Sequence, residues 1–375
     1  MSILFLQDHL RSGGAARAAG RWAQILDRQG CPARQVAGDE KPDHGHQLTG
    51  KPPRGWGRIY ELCRSRGRKR QAETEKQLIQ ILKAEKPDVI WLHNLAGGGK
   101  WGWSEQMVQI AREHAPVLWT LHDMWALGDG NESYFEETNV RNKIKTSRLR
   151  NICAAFGRYP VALTAPSEWL ADLATVITEQ KCWHLPNPID FQVYSMGDQA
   201  AARRRFGLPE KGVLILAGAD SLKDERKGFD LLLEAWSHGR KGATLALFGR
   251  NGQEREGIVN LGSIDTDEAM ADAYRAADLY VHPARQENAP CTVQESLACG
   301  TPVLAFAVGG IPEMVVPRKT GFLVARLSPE SLAEALASAL ADPEQLREMR
   351  ERCRKHAEEI WNPEKLMRQF TELAR

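Results

Sequence analysis

Polar groups fit for chemistry concentrate in one stretch, residues 284–303 (ARQENAPCTVQESLACGTPV), just after an apolar run that ends near Val281. Glu287 and Glu295 stand eight positions apart in it. Asn288-Ala289-Pro290 breaks the chain into a loop, and Thr292 can start a helix whose first amides point back at that loop. Unpaired N–H groups and the positive end of the helix dipole favour an anion there, such as a diphosphate. The two carboxylates cannot hold phosphate, but they accept hydrogen bonds from hydroxyls such as those of a sugar. As residue types alone, the same glutamates serve equally well as surface carboxylates of an amphipathic helix.

Other residues have a chemical and a structural use side by side. His122 follows the apolar run VLWTL, where an imidazole either meets a ligand at a sheet edge or caps the strand. Lys227 precedes Gly228 and an expected helix at 229–237, a place where a lysine is ordinarily solvated. Gly13-Gly14 follows the first apolar run; glycines let backbone approach a ligand closely, or they simply turn the chain. Asp265-Thr266-Asp267 has the form of a metal-binding pair, but it directly precedes a helix, which makes an Asp N-cap the better explanation. Trp101, Trp103 and Trp125 follow Gly97-Gly98-Gly99, and they either stack on a sugar ring or pack in the core.

The elements that must position these residues alternate. Short apolar runs at 3–6, 89–92, 117–121 and 161–163 are separated by helical patterns such as 15–28 and 73–85, the latter with Leu78, Ile81 and Leu82 on one face. Leu185-Pro186-Asn187-Pro188-Ile189-Asp190 interrupts the series, because two prolines in three residues continue neither a helix nor a central strand. A second series follows: strands at 213–217, 243–248, 278–281 and 303–306, and helices at 229–237, 267–276, 292–299, 329–341 and 343–359. A last helix begins near Pro363. The expectation is α/β: two Rossmann-like domains, 1–186 and 187–360, facing across a cleft, with a C-terminal helix at about 361–375 packed back on the first. Ligands of such folds bind at the carboxyl ends of the strands.

Composition narrows the classes. The 375 residues are 42% hydrophobic and 26% charged with a formal net charge of +2, which suits two soluble globular domains and gives no overall field for nucleic acid. Residues 51–70 hold eight Lys/Arg against Glu61, and residues 141–150 hold five against no acid. These are solvated faces or a patch for anionic lipid or an acidic acceptor. Seven scattered cysteines with no C-x-x-C pair argue against a disulfide framework and a zinc site, and fit a reducing cytosol. The N-terminal segment lacks the basic region and apolar length of a signal peptide, and no run of about 18 apolar residues could span a membrane.

The stretch 284–303 resembles the two-glutamate signature of the family-four retaining glycosyltransferases with the GT-B fold. The likeness extends to Gly309-Gly310-Ile311-Pro312-Glu313, Gly321-Phe322-Leu323, Leu261-Gly262-Ser263-Ile264, Tyr274-Arg275-Ala276-Ala277-Asp278, Phe248-Gly249-Arg250 and Arg226-Lys227-Gly228. In the first half it rests on Gly13-Gly14 and Thr120-Leu121-His122-Asp123. The resemblance implies that Glu287 reads donor-sugar hydroxyls and Glu295 the ribose hydroxyls. It implies that the loop amides of Asn288, Ala289, Pro290, Cys291 and Thr292 hold the sugar and diphosphate, proline contributing its place in the loop. Lys227 would neutralise the diphosphate, Gly13 and Gly14 approach the phosphates, His122 face the donor sugar, and Gly249, Arg250, Ser263 and Ile264 border the base. The family's Gly-Arg pair is replaced here by Gly218-Ala219-Asp220, which leaves Arg226, beside Lys227, to supply that charge. Residues 126–147 lack the cysteines of relatives that share Thr-Leu-His-Asp-Met-Trp, so those relatives' acceptors are not carried over.

The implied activity is retaining transfer of a hexose-type sugar from a UDP- or GDP-sugar to a carbohydrate or lipid-linked hydroxyl acceptor, in polysaccharide or glycoconjugate biosynthesis. No cofactor and no metal are expected. The expected location is cytoplasmic, with peripheral contact to the anionic inner membrane face. A sugar-nucleotide epimerase of the same fold and a non-catalytic nucleotide-sugar-binding protein are the alternatives. The first needs acid and base groups near the sugar that the sequence does not offer, and the second has no use for Glu287, Glu295, Lys227 and His122 together.

Overall fold

The structure is a computed structural model that describes residues 1–10, 13–38, 45–47, 64–93, 105–128, 147–155, 157–239, 242–252 and 256–374. The chain divides into two compact units, Met1–Pro188 with Pro363–Arg375, and Ile189–Asn362.

Unit 1 runs β1 (Ile3–Gln7), α1 (Gly13–Arg28), β2 (Ala33–Ala37), β3 (Gly45–Gln47), α2 (Arg64–Glu85), β4 (Val89–Leu92), α3 (Glu105–Arg112), β5 (Val117–Thr120), α4 (Arg148–Ala154), β6 (Val161–Ala165), α5 (Glu168–Thr178) and β7 (Cys182–His184). Its sheet has the order β3-β2-β1-β4-β5-β6-β7 with every pairing parallel. Strands β1, β4 and β5 are buried along their whole length, as helices on both faces of a parallel sheet require. On one face Leu4, Leu6, Ile90, Leu92, Val117 and Trp119 pack with α2, α3, α4 and α5. On the other, Phe5 and Trp91 meet Trp22 of α1.

Unit 2 runs α6 (Gln199–Arg205), β8 (Leu214–Ser221), a 3-10 turn (Glu225–Lys227), α7 (Phe229–Gly239), β9 (Thr244–Arg250), β10 (Ile258–Gly262), α8 (Asp267–Ala276), β11 (Leu279–His282), α9 (Cys291–Ala298), β12 (Val303–Phe306), α10 (Ile311–Met314), β13 (Gly321–Val324), α11 (Pro329–Ala341) and α12 (Pro343–Ile360). Its parallel sheet has the order β10-β9-β8-β11-β12-β13. The chain then returns to unit 1 as α13 (Pro363–Leu373). Leu366 and Phe370, four apart and therefore on one helix face, are both fully buried. Phe370 stacks on Trp91 with ring centroids 4.8 Å apart, so the last helix completes the core that Trp22 begins.

Each sheet reverses its strand order once. In unit 1 the chain works outward from β1 to β3 and returns to the other side of β1 with β4; in unit 2 it works from β8 to β10 and returns with β11. Between those neighbours the loops leave in opposite directions and open a crevice at the carboxyl ends. The residues at issue there are Gln7, Asp8 and His93 in unit 1, and Gly218, His282 and the loop to Glu287 in unit 2. Among the described residues no helix is long and apolar enough to cross a membrane.

Candidate functional site

In unit 2 the Lys227 turn is pressed against the loop after β11. Gly228 has φ +66°, and a Cβ there would stand 1.9 Å from the Pro283 carbonyl oxygen, so only glycine permits the approach. The Arg285 amide donates to the Arg226 carbonyl (2.8 Å). The Arg285 guanidinium donates to the Glu225 carbonyl (2.7 Å) and to both carboxylate oxygens of Asp230 (2.7 and 2.5 Å). This clamp aims Lys227 at the loop, where its ammonium pairs with Oε1 of Glu287.

Glu287 is only 8% exposed. Burial alone would push its carboxyl up, but the Lys227 charge and the His282 imidazole outweigh it and bring the group down from 4.5 to about 2. His282 Nε2 lies 3.4 Å from Oε1, the oxygen that Lys227 also takes. Oε2 has no partner among the described residues, so the carboxylate is tethered through one oxygen and presents the other.

The helix after this loop, α9, starts at Cys291, one residue before the expected Thr292. Its N-cap is Pro290, whose side chain has no group to cap the first turn. Asn288 is buried, and its carbonyl accepts from the Gly310 amide (3.1 Å), which ties the loop to α10. Ala289 and Thr292 are half-buried, while Pro290 and Cys291 are buried. Glu295 is fully buried within α9 and accepts from the Tyr274 hydroxyl at 3.1 Å. As placed it is an internal acceptor, and a ligand reaches it only if the covering residues shift.

At the ends of β8 and β9, Gly249 has φ +114° and would set a Cβ 1.8 Å from the Ala219 carbonyl oxygen. Arg250 is exposed and pairs with Asp220 (2.6 Å). Arg226 is likewise exposed and pairs with Asp224 (2.8 Å), so of the two adjacent cations only Lys227 meets Glu287. Ser263 is exposed, and Ile264 lies half-buried against the core. The Asp-Thr-Asp expectation needs correcting: the N-cap of α8 is Thr266, whose hydroxyl accepts from the Ala269 amide (3.2 Å), while Asp267 lies in the first turn and complements the dipole.

In unit 1 two histidines meet at neighbouring strand ends. His93 follows β4 and His122 lies just beyond β5, with His93 Nδ1 and His122 Nε2 2.9 Å apart. Burial depresses both imidazoles, His93 well below the usual range with help from His122, and His122 to about 4. Gly13 (φ +88°) and Gly14 are exposed and form the start of α1 rather than a loop ahead of it. Trp125 packs against the core. Trp101, Trp103, Gly97-Gly98-Gly99, and residues 51–63 and 141–146 of the two basic stretches lie outside the described residues. The sequence reading gave no role to His282, Arg285, Tyr274 or His93. Two of these carried a signal: His282 ends the apolar strand LYVH, and His93 follows VIWL much as His122 follows VLWTL.

Comparison with known proteins divides the chain in the same two halves. Residues 12–193 match the family model described as Glycosyltransferase Family 4, and residues 198–359 match that of Glycosyl transferases group 1. A D-inositol 3-phosphate glycosyltransferase of Segniliparus rotundus is 35% identical over 189 residues, 45% of this chain and 41% of that protein. The match thus spans less than half the length of that relative. A GDP-mannose-dependent monoacylated alpha-(1-6)-phosphatidylinositol monomannoside mannosyltransferase of Corynebacterium glutamicum is 25% identical over 332 residues, 80% of this chain and 79% of that one. Among solved structures, Anabaena HepE in complex with UDP and glucose has a TM-score of 0.73 at 19% identity, covering 99% of this chain and 98% of that one. That likeness supports the two-Rossmann-domain GT-B fold.

Proposed function

The chain belongs to the group 1 glycosyltransferases, and we propose that it is a retaining enzyme that moves a hexose-type sugar from a nucleoside-diphosphate sugar to a hydroxyl acceptor. The observation that carries this reading is Glu287, held ionised through Oε1 by Lys227 and His282 with Oε2 presented, in the loop just ahead of the N-terminus of α9. Oε2 accepts from donor-sugar hydroxyls, and the first amides of α9 take the diphosphate. Lys227, paired with Glu287, stabilises charge on the departing diphosphate. Arg226 adds a second cation once it leaves Asp224. Gly249, Arg250, Ser263 and Ile264 border the base. Glu295 reads the ribose after the shift described above.

Retention through a covalent intermediate requires a free carboxylate about 5–5.5 Å from the acid partner. Glu287 is tethered to Lys227, and Glu295 is buried on Tyr274, so neither has the freedom of a nucleophile. We therefore read the reaction as front-face. The bond from C1 to the diphosphate breaks as the bond to the acceptor oxygen forms on the same side, and the acceptor proton passes to a diphosphate oxygen. Cationic side chains and helix amides supply the charge stabilisation, so the reading is metal-independent. His122, neutral at working pH, contributes a hydrogen bond from unit 1 and not a positive charge.

The relatives' names support a UDP- or GDP-sugar donor, GDP-mannose in one and UDP in the HepE complex, and a carbohydrate or lipid-linked acceptor. Contact with an anionic inner membrane face rests on the basic stretches of the sequence. The test is a titration with a panel of UDP- and GDP-sugars in EDTA, following melting temperature and nucleoside diphosphate release. A true donor raises the melting temperature with dose, is slowly hydrolysed, and loses both effects in Glu287→Ala. Failure of the whole panel, with mono- and disaccharide acceptors added, refutes the enzyme reading; release only with added metal refutes its metal-free form.

A further inference from the structure

His282 is the last residue of β11 and only 4% exposed, at the point where the strand order reverses. Its two ring nitrogens face different kinds of partner. Nε2 lies 3.4 Å from Oε1 of Glu287, a carboxylate held down at about 2 and so an acceptor only. That side of the ring must carry a proton to be favourable. On the other side Nδ1 lies 3.3 Å from the Tyr280 hydroxyl and 3.5 Å from the Thr292 hydroxyl. Burial pushes the Tyr280 phenol far up, so it keeps its proton and can donate to Nδ1. With a proton on Nε2 the imidazole faces Oε1 at 3.4 Å, close but not aligned as a full hydrogen bond, and with Nδ1 it reaches the Tyr280 and Thr292 hydroxyls, so the ring touches β11, α9 and the Glu287 loop at once.

We infer that His282 is a positioning residue that, together with Lys227, fastens Oε1 of Glu287 and so aims Oε2 at particular hydroxyls of the donor sugar. Lys227 alone cannot fix the aim, because a single ammonium contact leaves the carboxylate free to swing about that bond. A donor on a rigid buried ring removes the swing. Loss of the ring donor therefore weakens recognition of the sugar and leaves recognition of the nucleoside diphosphate in place. This rests on the proposed donor role of Glu287.

The experiment compares UDP, UDP-glucose and UDP-galactose, and GDP, GDP-mannose and GDP-glucose, by calorimetric titration of wild type, His282→Gln, His282→Asn and Glu287→Ala. Glutamine places an N–H near the position of Nε2, whereas asparagine falls short of it. Wild type and His282→Gln are expected to prefer the cognate sugar nucleotide over its bare diphosphate and over its epimer. His282→Asn is expected to lose at least tenfold of both preferences with diphosphate affinity within about twofold of wild type. Equal behaviour of the asparagine and glutamine variants, either both retaining the preferences or both losing diphosphate affinity as well, overturns the inference. If Glu287→Ala also leaves the preferences intact, the donor reading of Glu287 falls first.

Discussion

The Lys227–Glu287 pair yields a stability prediction whose size and pH dependence both come from the geometry. The Glu287 carboxyl moves from 4.5 to about 2 on folding, which corresponds to about 3 kcal/mol in favour of the ionised fold. Its folded value is depressed, so this contribution is present above 4.5 and lost as pH falls from there towards 2. Burial is the largest single influence and pushes the other way, so the downward shift depends on Lys227 and His282. In Lys227→Met the buried carboxylate keeps only the His282 contact at 3.4 Å, and its carboxyl rises. Lys227 is itself 27% exposed, so water screens part of the loss, and unit 2 is expected to lose about 2 kcal/mol at neutral pH. Glu287→Gln carries no uncompensated charge and costs less. The double variant recovers part of the loss, giving a coupling of about 1–3 kcal/mol. Because the raised carboxyl of Lys227→Met takes a proton sooner on folding, its deficit narrows as pH falls from neutrality towards 4.5. Urea unfolding of ligand-free protein, read on the transition of unit 2, measures all of this. A coupling below about 0.5 kcal/mol, or a deficit independent of pH, refutes the reasoning.

Gly228→Ala combines a left-handed backbone, costing about 1–2 kcal/mol, with a carbonyl 1.9 Å from the new Cβ. A total above about 3 kcal/mol is expected, together with weakened diphosphate binding, because the Lys227 turn must lift off Pro283. Gly207→Ala, with φ +62° and nothing within 4 Å of its Cβ, is the control and shows only the backbone cost by urea unfolding. The histidine pair predicts acid sensitivity of unit 1. His122 falls from 6.5 to about 4 and His93 is likewise held well below its usual range, so the unfolded chain binds more protons in that window and stability drops as pH falls below 6.5. The loss from His122 is on the order of 2 kcal/mol by pH 4. His122→Phe is expected to flatten the pH profile of unit 1, and an unchanged slope rejects the assignment.

Strands with one unbroken apolar run were legible because both faces of a parallel sheet are buried: VIWL and VLWT could hardly be anything else. The strands that escaped notice lie away from the reversal point. β2 (ARQVA) carries Arg34 and Gln35, and β10 (IVNLG), the outer strand of its sheet, is nowhere fully buried, so neither needs an apolar run. The last helix showed itself by Pro363, and the structure adds Leu366 and Phe370 as its buried face. Its docking partners Trp22 and Trp91 are separated from it by most of the chain, and no local pattern names them.

The site shows the same division. Lys227-Gly228 and Glu287 stood out in the sequence as candidates, and the resemblance to the two-glutamate signature, rather than the turn or loop pattern, gave them their roles. What holds them is not visible, because it depends on sheet order. In unit 1 the strand that returns beside β1 is β4, and in unit 2 the strand that returns beside β8 is β11. His93 comes immediately after the first and His282 ends the second, so the two histidines occupy equivalent places in two similarly ordered sheets. Each is buried, and each touches the residue expected to meet the ligand, His93 touching His122 and His282 touching Glu287. A parallel sheet gathers its strand ends at the reversal point whatever the sequence between them, and a buried imidazole there can hydrogen-bond on two sides at once. The feature to seek in such a sequence is therefore a lone histidine closing an apolar strand, taken together with the order in which the strands return.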